Sequence, residues 1–105
     1  PLYPTWPESA TQNLRMALID EEVGELRQAI KDRNMIEVAD ALTDILYVVY
    51  GAGHAFGIDL DECYNEVHRS NLTKLGEDGR PLKDADGKVM KGPHYEPPNL
   101  EQYLV

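Results

Sequence analysis

Apolar residues recur every three or four positions in three successive segments of this chain, a spacing typical of helices that bury one face. The first helix is expected over residues 8–31, the second over residues 35–55, and a third from Asp59. We therefore predict an all-α fold, a helical bundle over about residues 8–75. A loop-rich, basic tail is expected over about residues 76–105.

Residues whose side chains cap helices stand at the predicted ends. Asn34 and Asp59 are each followed by Glu three positions later, which is the spacing of a capping box. Thr5 or Ser9 is the expected cap of the first helix, and Gly57 is the expected stop of the second. The link between the first two helices is so short that they should be antiparallel neighbours.

Carboxylates interrupt the face that the first helix should bury. Leu18, Glu22 and Leu26 form one i, i+4 row, and Glu25 lies beside that row. An ionised carboxylate in a low-dielectric interior costs several kcal/mol unless it is paired or bound to a metal. The pattern therefore indicates a site rather than a solvated charge run.

The second helix repeats this feature. Residues 36–49 are apolar nearly all round, which predicts a buried helix. Its acids Glu37, Asp40 and Asp44 fall within roughly 60° of one another around the axis. If the two acidic faces meet, four or five carboxylates converge with no basic residue on either face, and a hard divalent cation is the economical counter-charge. Two alternatives stay open: Glu37 only starts the helix, or the carboxylates are purely structural.

The net charge is −9, which argues against binding nucleic acid through its phosphates. Six of the ten basic residues nevertheless lie between Arg69 and Lys91. An acidic half followed by a basic half suits a metal together with a phosphorylated ligand. The alternative is a solvated tail of mixed charge.

The chain has 105 residues, enough for a single domain, residues 1–105, with a modest core. So small a core predicts a homodimer or homotetramer whose subunits complete the bundle. The single cysteine, Cys63, fits a reducing compartment. We find neither a signal peptide nor an apolar run long enough for a bilayer, and expect a cytoplasmic protein without membrane contact.

Turn residues dominate the tail. Residues 82–83 and 89–90 flank an Asp-Ala-Asp-Gly segment, a pattern that favours a small β-hairpin. The same segment has a superficial likeness to a calcium loop, but Tyr95 stands where that loop requires Glu.

The acidic pattern carries a family resemblance. Glu21-Glu22-x-x-Glu25 followed by Glu37-x-x-Asp40 resembles the signature of the MazG-like nucleotide pyrophosphohydrolases, which belong to the all-α NTP pyrophosphatase superfamily. Residues 40–47, 67–75 and 86–93 also resemble members of this family, so the likeness covers roughly residues 8–98. Family members often carry a further helix before the proline-rich start, and this chain has little room for it.

The resemblance implies a role for each group of residues. Glu22, Glu25, Glu37 and Asp40 would hold Mg²⁺, for which Mn²⁺ could substitute. Glu21 and Glu22 are the implied catalytic residues, with Glu21 orienting or deprotonating the attacking water. The remaining implied residues would contact the substrate, and they are Asp44, Asn71, Lys74, Lys88, Lys91 and Tyr95.

The implied reaction is Mg²⁺-dependent hydrolysis of a nucleoside or deoxynucleoside triphosphate between its α and β phosphates. The products would be the monophosphate and pyrophosphate. A phosphoribosyl-ATP pyrophosphohydrolase is the first alternative, against which the basic tail argues. The second alternative is a non-enzymatic, metal-binding helical oligomer.

Overall fold

The computed structural model describes residues 1–104. It contains three α-helices, α1 (Ser9–Lys31), α2 (Met35–Phe56) and α3 (Leu60–Leu72), and a short 3₁₀ helix, Glu101–Tyr103. No strand forms within these described residues. The prediction of an all-α fold is confirmed, and the predicted helix bounds are correct to within one or two residues.

The chain divides into two compact units. Pro1–Ile58 contains the antiparallel pair α1 and α2, and Asp59–Val105 contains α3 and the tail. The division falls inside the predicted helical core, directly after α2. The assignment of residues 1–105 to a single domain stays a prediction.

Local side-chain chemistry sets the ends of α2. The Asn34 side-chain oxygen accepts the backbone N–H of Glu37 at 3.2 Å, as predicted for an N-cap. Arg33 has a positive φ of 53°, which lets the chain reverse between the helices. Gly57 ends α2 with φ of 69°. A side chain there would also collide with the carbonyl of Tyr3. Both the positive φ and this close contact therefore favour glycine at position 57.

The start of α1 differs from the prediction. Its N-cap is Glu8, which makes no side-chain capping bond, so the assignment of Thr5 or Ser9 as cap is wrong. Thr5 instead donates its backbone N–H to the carbonyl of Phe56 at 2.8 Å. The Trp6 ring meets the Phe56 ring edge to face, with centroids 5.6 Å apart. The proline-rich segment therefore runs along the end of α2 and does not fold back to cap α1.

The α1–α2 interface is narrow. Ala29 and Ala41 are the buried hydrophobic side chains among residues 1–104, and their small size lets the two helices approach closely. Much of α2 stays uncovered, with Ile36 80% and Leu46 61% exposed. The predicted burial of α2 is not achieved within one chain, because α1 can cover only one face of a helix that is apolar on several.

The buried positions of α3 are polar. The aromatic Tyr64 is exposed, whereas Glu66 and Ser70 are buried. Glu66 accepts two hydrogen bonds from the Arg69 guanidinium, at 2.7 and 2.9 Å, and one from the backbone N–H of Asn99 at 2.7 Å. A buried charge is tolerated here because it is paired and fully hydrogen-bonded.

The same helix holds the tail through Glu96. Arg69 donates to the Glu96 carboxylate at 3.0 Å, and Ser70 donates to its carbonyl at 2.7 Å. The Thr73 hydroxyl oxygen accepts the Glu96 N–H at 2.8 Å. Residues 96–99 are therefore attached to α3 by hydrogen bonds, some of them to charged groups.

The predicted hairpin region forms a turn with little pairing. A single antiparallel bridge joins Lys83 to Val89, and the Asp84 N–H donates to the Lys88 carbonyl at 2.9 Å. Gly87 has φ of 81° in this turn. A second bridge joins Leu75 to Pro81. These contacts reverse the chain twice without building a strand.

Replacing Glu66 with Gln should lower the unfolding temperature by several degrees at pH 7. The bonds to Arg69 and Asn99 lower the pKa of Glu66 to about 2 from its ordinary 4.5. Its stabilisation is therefore present above pH 4.5 and is lost as the pH falls from about 4.5 to about 2. Thermal melts of wild type and Glu66→Gln should converge over that range.

Glu62→Gln is the matched control, since it makes the same change one turn earlier at an exposed position. The unfolding temperatures of wild type and Glu62→Gln should show no such convergence as the pH falls. Identical pH profiles for wild type and Glu66→Gln would contradict this account of the tail attachment.

Candidate active site

Three carboxylates meet between α1 and α2. Glu22 and Glu25 lie one turn apart on α1, and Asp44 lies opposite them on α2. One carboxylate oxygen from each lies within 4.8 Å of those of the other two. Charges so close repel unless protons or a cation intervene.

Glu22 is the most strongly perturbed member. Its Oε2 atom is shielded from solvent and has no hydrogen-bond partner. Burial, then the hydrogen bond of its protonated form with Glu25, and then the charges of Glu25, Asp44 and Glu21 raise the pKa of Glu22 to about 7. Hard divalent cations prefer carboxylate oxygens as ligands, and the unpartnered, desolvated oxygen of Glu22 lies among other carboxylates.

A groove of about 200 Å³ continues the acidic surface towards the helix link. Its carboxylates are Glu25, Glu37, Asp40 and Asp32, and Ala29 and Ala41 also line it. Glu25 belongs to both the three-carboxylate group and the groove, so it connects the two.

The predicted metal ligands are thus distributed over two adjoining places. Glu22 and Glu25 lie with Asp44, which the family resemblance had assigned to substrate contact. Glu37 and Asp40 line the groove with Glu25. Asp44 is one turn further from the link than Asp40, which brings it level with the α1 acids. The roles of all five carboxylates stay predictions.

Glu21, the predicted catalytic residue, is exposed beside this group. Its charge is one of those that raise the pKa of Glu22. The side chain is therefore free to meet a water molecule, as the predicted role requires.

The other predicted substrate residues lie in the second unit. The Lys74 and Lys91 ammonium groups are 5.9 and 5.0 Å from the centre of the Tyr95 ring. Both distances are within the range of cation–π attraction. Asn71 and Lys88 are exposed. The tail thus gathers two lysines around one aromatic ring, a group suited to an anion.

The sequence pattern did not single out Arg15, a charged residue of the helix interface. Arg15 lies on α1 seven positions before Glu22, which places it on the same face two turns away. Its guanidinium reaches over Gly51 of α2, where a Cβ would stand 2.6 Å from Nη1. The i, i+7 spacing from Glu22 was the signal that could have revealed it.

The family follows from the sequence match. A family model described as phosphoribosyl-ATP pyrophosphohydrolase matches residues 3–71, which include α1, α2 and most of α3. The chain belongs to this family. As a family member it also belongs to the MazG-like, all-α pyrophosphohydrolase superfamily, so the family recognised from the acidic motif is confirmed.

Two relatives extend the comparison. An uncharacterised protein of Acanthamoeba polyphaga mimivirus is 48% identical over 81 residues, covering 77% of this chain and 30% of that protein. The structure of a candidate NTP pyrophosphohydrolase from Exiguobacterium sp. 255-15 is similar with a TM-score of 0.56. It has 32% sequence identity and covers 79% of this chain and 56% of that one.

The chain therefore spans less than two thirds of either relative. Family membership supports nucleotide pyrophosphohydrolase chemistry in general and leaves the substrate open. Among the helices of residues 1–104, none combines the length and apolarity needed to span a bilayer.

The pH dependence of stability tests the environment of Glu22. In chelator, the unfolded chain releases this proton near pH 4.5 and the folded chain near pH 7. The folded state binds more protons in between, so stability should fall as the pH rises from about 4.5 to about 7. Glu22→Gln should remove part of this fall, as measured by thermal melts across that range.

Asp20→Asn is the control for net charge, because it removes one exposed carboxylate from the same helix. The unfolding temperature of Glu22→Gln minus that of Asp20→Asn should increase with pH. A constant difference would show that Glu22 has an ordinary environment.

Proposed function

We propose that this protein is a divalent-cation-dependent nucleotide pyrophosphohydrolase. It cleaves nucleoside or deoxynucleoside triphosphates between the α and β phosphates and releases the monophosphate and pyrophosphate. The observation that carries the proposal is the group Glu22, Glu25 and Asp44, with its orphaned Glu22 oxygen, in a chain of this family.

The carboxylates would hold Mg²⁺, with Mn²⁺ as a substitute. Glu22, Glu25 and Asp44 are close enough to share one cation, and Glu37 and Asp40 extend the oxygen-rich surface from Glu25. The cation supplies charge stabilisation for the phosphates and a lower pKa for bound water. Because binding needs ionised carboxylates, affinity should rise with pH through the titration of Glu22.

Glu21 orients the attacking water and accepts its proton. The water oxygen forms a bond to phosphorus as the α–β bridging oxygen leaves with the pyrophosphate. Glu21 suits this role because its side chain is exposed next to the carboxylate group. A correctly positioned general base contributes on the order of 10²–10⁴-fold to rate.

The lysines of the second unit have the chemistry to contact phosphate. Lys74 and Lys91 lie around Tyr95, and the Glu96 attachment to α3 fixes the neighbouring backbone. Asn71 and Lys88 are exposed, and substrate contact is their proposed role. Phosphoryl transfer depends mainly on such positioning and charge.

A second candidate substrate is phosphoribosyl-ATP. The description of the matching family model favours it. The tail beyond residue 76 lies outside the matched region and argues for another substrate. A panel containing phosphoribosyl-ATP and the eight common nucleoside and deoxynucleoside triphosphates separates the two candidates.

Glu22→Gln should reduce turnover by at least roughly 100-fold while the fold survives. Wild type should release monophosphate and pyrophosphate in one step, with Mg²⁺ and not with chelator, as resolved by chromatography. Asp20→Asn, which changes an exposed acid on the same helix, should retain wild-type turnover. Diphosphate as product, or full activity of Glu22→Gln, would overturn the proposal.

We also propose that a second copy of the chain covers the face of α2 that contains Leu46, in a homodimer or homotetramer. Leu46 is 61% exposed on this face, and exposed apolar residues on a helix face are typical of an interface. Leu46→Asp should lower the mass measured by sedimentation. Leu2→Asp, at a fully exposed position outside the helices, should not, and an unchanged mass for Leu46→Asp would contradict the interface.

A further inference from the structure

Arg15 brings a cation into the helix interface without a partner for it. Its Nε atom is shielded from solvent and has no hydrogen-bond partner. Its Nη1 atom lies over Gly51, so close that the Cβ of any other residue would stand only 2.6 Å away. The absence of a side chain at Gly51 makes the space that the guanidinium occupies.

A guanidinium normally meets a carboxylate or a carbonyl when it loses water. Across residues 1–104, the ion pairs are those of Arg69 with Glu66 and Glu96, and Arg15 has none. The desolvated Nε–H of Arg15 therefore has no acceptor among residues 1–104. An acceptor delivered by a ligand would relieve this cost.

The position of Arg15 indicates which part of a nucleotide it meets. On α2, Asp40, Asp44, Tyr47 and Gly51 lie within roughly 60° around the axis, so they form one row. Gly51 is seven positions beyond Asp44, about 10 Å along the helix. Phosphates held at the carboxylates would lie at one end of this row, and the guanidinium lies at the other.

The sugar and the base of a nucleotide extend away from its phosphates, so a nucleotide aligned with this row would place its base nearest Arg15. Tyr47 lies between Asp44 and Gly51 and is 80% exposed. Its ring offers a surface on which a base can stack. The guanidinium fork matches two adjacent acceptors, and guanine presents O6 and N7 in that arrangement.

We propose that Arg15 is a specificity-determining residue that donates hydrogen bonds to the acceptor edge of the substrate's base, with guanine preferred over adenine. This inference rests on the proposed nucleotide pyrophosphohydrolase function. Adenine has an amino group where guanine has O6. One of the two guanidinium N–H donors would therefore face the adenine amino group, which is itself a donor. Gly51 is the positioning residue, because it leaves room for the guanidinium.

The test compares kcat/KM for dGTP, dITP and dATP in wild type and Arg15→Met. Wild type should prefer dGTP and dITP, which share O6 and N7, over dATP by roughly tenfold or more. Arg15→Met should remove most of this preference, mainly by raising KM for the two O6-bearing substrates. Turnover of dATP should change little.

Gly51→Ala tests the geometry without changing the charge. The added methyl group would displace the guanidinium, so this variant should also lose base preference. Gly24→Ala is the matched control, since a Cβ there has no neighbour within 4 Å. It should keep the wild-type preference.

If Arg15→Met lowered kcat/KM equally for all three substrates, Arg15 would have a structural or phosphate-binding role, and the inference would be overturned. An unchanged preference would also overturn it. If no triphosphate is hydrolysed, the proposed function fails by itself. Calorimetric binding of dGMP and dAMP to wild type and Arg15→Met then still decides whether Arg15 discriminates between the bases.

Discussion

Repulsion among carboxylates on two neighbouring helices governs the first half of this protein. Glu22, Glu25 and Asp44 have oxygens within 4.8 Å of one another, and Glu22 is desolvated enough for its pKa to rise to about 7. Without a counter-charge, Glu22 keeps its proton until the pH approaches about 7. The proposed cation would remove this repulsion between the carboxylates.

The same interface limits what the rest of α2 can do. Ala29 and Ala41 bring the helices close together, which is what lets the acids of α1 and α2 meet. Close approach along one face leaves the other apolar faces of α2 open to solvent in the single chain. The packing that assembles the acidic group therefore also leaves apolar faces of α2 exposed in the single chain.

The second unit uses a different means of stabilisation. The buried Glu66 pairs with the exposed guanidinium of Arg69, and Glu96 attaches the tail to the same arginine. Such a network specifies a geometry through directional bonds. Its effect is to hold Tyr95, with Lys74 and Lys91 around it, next to a fixed backbone.

The sequence by itself determined the three helices, their caps at Asn34 and Asp59, and the stop at Gly57, because these features depend on neighbouring residues. It also located the carboxylates that now lie along α1 and α2, since helical periodicity places them on single faces. Tertiary structure alone decided that Asp44 meets Glu22 and Glu25 and that Arg15 reaches Gly51. Those contacts depend on the axial register of two packed helices, which periodicity within one helix does not contain.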